Sequence, residues 1–273
     1  MLKTRVLTAI CLLAGLLGAL FFLPENAWVV FCALICAGGA WEWGGLAKWG
    51  GKARVAYAIA LAALVLMFAL DFSSRVFPGG VFCALAAVFW LLIAPFWLRC
   101  KWPLRAWSAA LTGIVVLVPP ALVFFILRTI GGPWLLLGFA AIVWVADSAA
   151  YFSGRALGGR KLAPSISPGK TWAGALGGTL GVVAYCNVIY WTTMVPVEAT
   201  ATLAHIFAAQ ILFVGLAALS IVGDLFESLL KRQAGVKDSG HLLPGHGGIL
   251  DRIDSLTSTL PFVHLAIAVS VFY

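Results

Sequence analysis

The sequence predicts an all-α polytopic membrane protein of about nine transmembrane helices, with its N-terminus cytoplasmic. Three observations predict it. Of the 273 residues, 63% are hydrophobic and only 10% are charged, less than half the roughly 25% charge of a soluble domain. Apolar stretches of about 20 residues, enough for a helix to cross the hydrocarbon core, recur from end to end. Lysines and arginines fill every second connector. Lipid offers backbone groups no water, so the spans are expected to be helices. No soluble domain fits between them, and residues 1–273 read as one integral-membrane domain. Within it, N-terminal spans cover about 6–152, and a polar-rich C-terminal part covers about 140–273.

The first apolar run, 6–23, follows a short basic start. It exceeds the ~7–15-residue core of a signal peptide, and no small-x-small site follows, so a retained span is expected. Further spans read as 27–47, 55–70, 80–98, 108–127, 134–152, 172–195, 203–230 and 255–273. Pro119-Pro120 is expected to kink the fifth.

Sixteen of the 18 lysines and arginines fall in alternate segments. These are Lys3 and Arg5; Lys48, Lys52 and Arg54; Arg99, Lys101 and Arg105; Arg155, Arg160, Lys161 and Lys170; and Lys231, Arg232, Lys237 and Arg252. Arg75 and Arg128 are the other two. By the positive-inside rule the basic segments are cytoplasmic and the C-terminus external, which requires an odd number of spans. The net charge of +8 is thus topological and does not point to nucleic acid, though it can attract anionic lipid head groups. The six cysteines lie mostly in apolar runs without ligand spacing and read as small buried hydrophobes. Tryptophans near span ends (Trp28, Trp49, Trp97, Trp102, Trp107, Trp134, Trp172) read as interfacial anchors. No internal repeat is evident, which disfavours the inverted-repeat transporters.

One stretch differs from all others. Residues 228–254 read SLLKRQAGVKDSGHLLPGHGGILDRID. Charged and glycine residues dominate it, at the expected cytoplasmic edge between the eighth and ninth spans. Ser220, Asp224, Ser228 and Arg232 fall at i, i+4, i+8 and i+12, along one helical face. Beyond the loop, Asp251, Asp254, Ser255 and Ser258 share another. On consecutive antiparallel helices the two polar stripes can meet. Carboxylates converging there suit a hard divalent cation such as magnesium, shared with phosphates. The alternative is an ion pair of Asp224 with Arg232 or Lys231. Gly235, Gly240, Gly245, Gly247 and Gly248 let backbone N–H groups approach phosphate oxygens, and Lys231, Arg232, Lys237 and Arg252 supply positive charge. No Walker-type P-loop is present. His246 fits a phosphate contact, a proton donor or a turn residue. His241 and His246 lack partners at zinc-ligand spacing.

A second polar segment precedes this one. Asp147, Tyr151 and Arg155 share a helical face. Ser165, Ser167, Gly169, Lys170 and Thr171 lead into a helix, whose N-terminus attracts anions. Either a second phosphate site or a basic loop with turn residues accounts for them. Glu42, between two tryptophans, is expected to snorkel or to pair with Lys48, with a direct functional role as the other reading.

The 228–254 stretch resembles the signature of the phosphatidate cytidylyltransferase (CDP-diacylglycerol synthase) family. The matching residues are Ser228, Lys231-Arg232, Lys237-Asp238, Gly240, Pro244, His246-Gly247-Gly248, Asp251-Arg252 and Asp254, at the family's spacing. Residues 147–174 also look like that family. The resemblance implies cytidylyl transfer from CTP to phosphatidic acid, giving CDP-diacylglycerol and pyrophosphate. It implies magnesium, a bacterial inner membrane with the active site facing the cytoplasm, and a homodimer. On that basis Asp224, Asp251, Lys237, Asp238, His246 and Arg252 are expected to be catalytic, with Asp224, Asp251 and Asp254 on the metal. Lys231, Arg232, Ser228, Gly247, Gly248, Lys170, Ser167 and Asp147 are expected to bind substrate phosphates, the last three contributing to the nucleotide or a second cation. The rival readings are a CTP-dependent lipid or prenol kinase and an ion-coupled transporter. Polar residues gathered at one membrane side count against the transporter.

Overall fold

The computed structural model describes residues 2–70, 78–194, 203–243 and 245–272. Pro244 and the connectors that hold Arg75 and Glu198 lie outside the described residues. The chain runs through α1 (Leu2–Phe22), α2 (Glu25–Leu46), α3 (Gly51–Leu70) and α4 (Pro78–Val88). A π-helical turn, Phe89–Ile93, joins α4 to α5 (Ala94–Cys100). Then come α6 (Ala106–Leu157), strands β1 (Lys161–Ala163) and β2 (Ser167–Thr171), α7 (Trp172–Ile189), α8 (Leu203–Ala234) and α9 (Leu250–Phe272).

Among the described residues, six helices are long and apolar enough to cross a membrane: Glu25–Leu46, Gly51–Leu70, Gly80–Cys100, Trp107–Leu157, Trp172–Thr192 and His205–Ala234. Thr8–Phe22 is a shorter apolar helix. The chain is therefore a multi-pass, helical membrane protein. Among the described residues its one sheet is the antiparallel β1–β2 hairpin, with Lys161 opposite Thr171 and Ala163 opposite Ser167. The sequence there is polar and rich in glycine and proline, so it reads as a loop.

α6 has 52 residues, about 78 Å if straight and more than twice a ~30 Å hydrocarbon core. Its non-helical residue is Gly132 (φ 73°, ψ −178°), followed by Pro133. Backbone dihedrals stay helical through Pro119-Pro120. Proline's fixed φ is itself helical, so the break falls instead at the glycine, which alone takes a positive φ freely.

The core corrects part of the tryptophan reading. Trp102, Trp107, Trp134 and Trp172 are exposed, whereas Trp28 and Trp97 are buried. Trp28 stacks on Phe31 and Phe124 beneath the Arg128 guanidinium. Trp97 meets Phe226 edge-on and donates to the Trp102 carbonyl at 2.7 Å. Cys32, Cys36, Cys83 and Cys186 are buried, as expected, while Cys11 and Cys100 are exposed.

Two helix contacts place the polar residues. α7 packs on the second half of α6 through small residues: a Cβ at Gly178 would lie 3.0 Å from the Ala146 carbonyl oxygen, and one at Gly174 2.9 Å from that of Ala150. Such close backbone approach is how helices associate where lipid supplies no hydrophobic drive. α9 packs on α8 through serines. Ser255 donates to the Ser220 carbonyl at 3.1 Å and Ser258 to that of Leu219 at 2.8 Å. The two polar stripes do meet, and these members of them join the helices together.

Candidate active site

The hairpin, the C-terminal half of α6, the start of α7 and the middle of α8 enclose a cavity of about 540 Å³. That volume lies in the range of small-molecule sites. Asp147, Tyr151 and Arg155 line it from α6, Lys161 and Lys170 from the hairpin, and Asp224 from α8. The Arg155 guanidinium donates to the Tyr151 hydroxyl at 3.0 Å. Thr171 caps α7, its hydroxyl accepting from the Gly174 N–H at 3.0 Å. The first turn of α7 thus faces the cavity with its positive dipole end.

Lys170 forms an ion pair with Asp224, and Ser228 donates to the same carboxylate at 3.2 Å. Asp224 therefore pairs with neither Arg232 nor Lys231. Arg232 instead donates to the Ile166 carbonyl at 3.4 Å and to that of Val236 at 3.3 Å, which ties the hairpin to the end of α8. Ser167 starts β2 and is half-buried. Gln233, next to Arg232, donates to the carbonyls of Lys101 at 3.2 Å and Trp102 at 2.8 Å, so the α5–α6 connector is held at this end too.

A second polar centre lies one to two turns further along α8. Lys231 donates to Glu227 at 2.9 Å and to Asp251 Oδ1 at 2.6 Å. The other oxygen of Asp251 accepts from the N–H groups of Ser239 and Gly248, at 2.9 and 2.8 Å, and lies 3.0 Å from the Ser239 hydroxyl. Burial alone would raise the Asp251 pKa. The hydrogen bonds from Lys231, Gly248 and Ser239 outweigh it and hold the carboxyl below its ordinary value. Asp254 lies within electrostatic reach of Asp224, Glu227 and Asp147, so it links the two centres.

The loop geometry requires its glycines. Gly247 has φ 82°, and a Cβ there would stand 2.7 Å from Asp251 Oδ2. At Gly248 a Cβ would collide with Ser239 and Glu42. Lys237, Asp238 and Arg252 are exposed. Arg252 donates to the His246 carbonyl at 3.0 Å. His246 Nδ1 is 2.7 Å from the Thr8 hydroxyl, so α1 reaches the signature loop.

Glu42 departs most from its sequence reading. It neither snorkels nor pairs with Lys48. It is 1% exposed and accepts from the N–H groups of Ile249 at 3.0 Å and Leu250 at 2.9 Å, and from the Ser239 hydroxyl at 2.9 Å. Glu227 carries a functional reading only as an acid in an apolar helix, with no assigned role, and Ser239 is not among the expected site residues. The available signal for Glu227 was its place in the same acidic helix as Asp224, and for Ser239 its place inside the signature.

Among the described residues, no three His, Cys, Asp or Glu side chains are grouped closely enough to hold a metal as they stand. The donor chemistry is nevertheless that of a hard cation, since carboxylate oxygens dominate. Asp224 and Asp251 each hold an ammonium group, and Glu227 Oε1 is buried without a hydrogen-bond partner.

Two carboxylates, Asp147 and Asp224, a basic hairpin and a helix N-terminus surround one cavity, and the buried Glu227–Lys231–Asp251 group lies beside it in this membrane protein. The chain matches the model of the cytidylyltransferase family over residues 3–270. It is similar to the phosphatidate cytidylyltransferase of Pseudomonas aeruginosa, 40% identical over 96% of this chain and 95% of that one. It is also similar to those of Haemophilus influenzae (37%; 96% and 97% covered) and Thermotoga maritima (34%; 97% and 95% covered). The chain belongs to the cytidylyltransferase family, and it is a nucleotidyltransferase by that membership.

Proposed function

We propose that the chain transfers the cytidylyl group of CTP to phosphatidic acid, giving CDP-diacylglycerol and pyrophosphate. The observation that carries this reading is the cavity that brings Lys170, Asp224 and the α7 N-terminus together, in a chain similar along its length to phosphatidate cytidylyltransferases. A phosphate oxygen of the lipid attacks the α-phosphorus of CTP. The new P–O bond forms as the bond to the β-phosphate oxygen breaks and pyrophosphate leaves. Two anionic phosphates must be held in line against their repulsion, so positioning and fixed positive charge supply most of the acceleration.

In this reading the triphosphate lies in the cavity against Lys170, Ser167 and the α7 N-terminus, near Asp147. Lys231, Arg232, Lys237 and Arg252, with the Gly247-Gly248 backbone, meet phosphate oxygens, and His246 and Asp238 complete the loop. A magnesium ion would be held by Asp224 and Asp254. Asp251, whose Oδ1 is held by Lys231, would be the third carboxylate to hold it. Bound there, magnesium would neutralise charge on the phosphates. A second cation near Asp147 has the same donor chemistry. Asp224 and Ser228 orient Lys170, and Arg232 sets the hairpin.

The same reading gives nine crossings: α1, α2, α3, the α4–α5 rod, the two halves of α6 on either side of Gly132, α7, α8 and α9. The N-terminus and active site face the cytoplasm of a bacterial inner membrane, the C-terminal part from about 140 carries the catalytic groups, and the protein is a homodimer.

Two preparations of CTP, labelled at the α- and at the γ-phosphate, test the reaction with purified protein and phosphatidate. Magnesium-dependent entry of the α-label into lipid, with labelled pyrophosphate released from the γ-labelled CTP, is expected. Entry of the γ-label would identify a lipid kinase instead.

A further inference from the structure

Glu42 of α2 does not line the cavity, yet three donors hold its carboxylate. Glu42 is 1% exposed. Its donors all come from the far end of the chain: the N–H groups of Ile249 and Leu250 at the start of α9, and the Ser239 hydroxyl. A carboxylate at a helix N-terminus satisfies N–H groups that have no partner within the helix and is stabilised by the helix dipole. Capping residues usually sit on the helix they cap. This one is supplied across 207 residues of chain.

The next bonds lead into the site. The hydroxyl that Ser239 donates to Glu42 also lies 3.0 Å from Asp251 Oδ2. Asp251 is the second residue of α9 and holds Lys231. The start of α9 and the Ser239 hydroxyl, which together set the position of the Asp251 carboxylate, are therefore fixed by one side chain from another helix. Gly240 and Gly248 make room for it: a Cβ at either would collide with the Glu42 carboxylate.

We propose that Glu42 is a positioning residue for cytidylyl transfer, acting through Ser239 and the first turn of α9 to hold Asp251 and Lys231 in register with the cavity. The inference rests on the cytidylyltransferase reading above. Glu42 touches no reacting atom in this assignment. Its loss displaces groups that do, and a displacement of about 1 Å can cost on the order of a hundredfold in rate.

The test is a double-mutant cycle on Glu42→Gln and Ser239→Ala, using full-length protein purified in detergent. It measures kcat and KM for CTP with phosphatidate and magnesium, and the thermal unfolding midpoint of each form. Each single variant is expected to lower kcat about tenfold to a hundredfold with KM for CTP unchanged. The double variant is expected to lose little beyond the worse single, because both act through Asp251. Wild-type kcat in folded Glu42→Gln, or losses that multiply in the double variant, would overturn the proposal. If Glu42→Gln does not fold, Ser239→Ala decides alone: it removes only the bridge, and wild-type kcat in it rejects the idea. Absence of transfer by the wild-type protein overturns the reaction itself, whereas active wild type with unaffected variants overturns only the role of Glu42.

Discussion

Lys170 of the hairpin is ion-paired with Asp224 of α8, and this pair joins the two polar segments of the chain across the cavity. It places one positive group where phosphate is expected and ties it to a carboxylate on a different element. Lys170→Met is expected to lower kcat/KM by about 10²–10³, the usual cost of one fixed charge-stabilising donor. Lys170→Arg should recover only part of this, because a planar guanidinium does not reproduce the compact ammonium. Steady-state kinetics on the purified variants measures both.

Lys231 has a different expected signature. Its side chain is 11% exposed and its partners Glu227 and Asp251 are 6% and 7% exposed. Removing one member of a buried pair leaves uncompensated charge, which costs about 3–5 kcal/mol. Lys231→Met should therefore lower the thermal unfolding midpoint markedly, and a midpoint equal to wild type would show that the pair carries no stability.

The Asp251 carboxyl is held below its ordinary pKa by its donors. A depressed folded-state pKa contributes stability that is complete above the unfolded value, about 3.9, and is lost as pH falls through the folded value. In magnesium-free detergent buffer, the stability advantage of wild type over Asp251→Asn should persist from neutral pH down to about pH 4. It should shrink only below that. Unfolding midpoints measured across pH test it, and an advantage that fades between pH 7 and 5 would contradict it.

Gly248→Ala should disrupt the loop more than its single methyl suggests. The added carbon meets both Ser239 and Glu42, and neither can withdraw without breaking a bond to Asp251 or α9. Overpacking of this kind typically costs about 1–3 kcal/mol. A loss of activity larger than the loss of stability is expected, measured as kcat and unfolding midpoint on the same preparation.

How far these features could be read in advance depended on how local they are. The helical phasing of Asp224, Ser228, Asp251 and Asp254 depends on neighbouring residues, and the meeting of α8 and α9 follows from their short connection. Lys170 before a helix was also visible, since the cap at Thr171 and the basic run are contiguous. Glu42 was not, because its donors lie about 200 positions away and no periodicity encodes them. Trp28 and Trp97 were misread for the same reason: a tryptophan near a span end faces lipid or core depending on which helix lies beside it. The β1–β2 hairpin escaped notice because its strands are only three and five residues long, too short for alternation to register.

The Glu42 bonds also bear on how the protein is made. Translation delivers α2 first, and the N–H groups that neutralise its carboxylate follow 207 residues later. At about 5–20 residues per second this is an interval of roughly 10–40 s. During that time the nascent chain carries an acid in an apolar helix with none of its final donors yet synthesised. The early helices must therefore keep Glu42 near water until the last segment emerges. Arrival of the α9 N-terminus is then a late assembly checkpoint, and a chain truncated before residue 249 would leave the ribosome with its buried acid still unpaired.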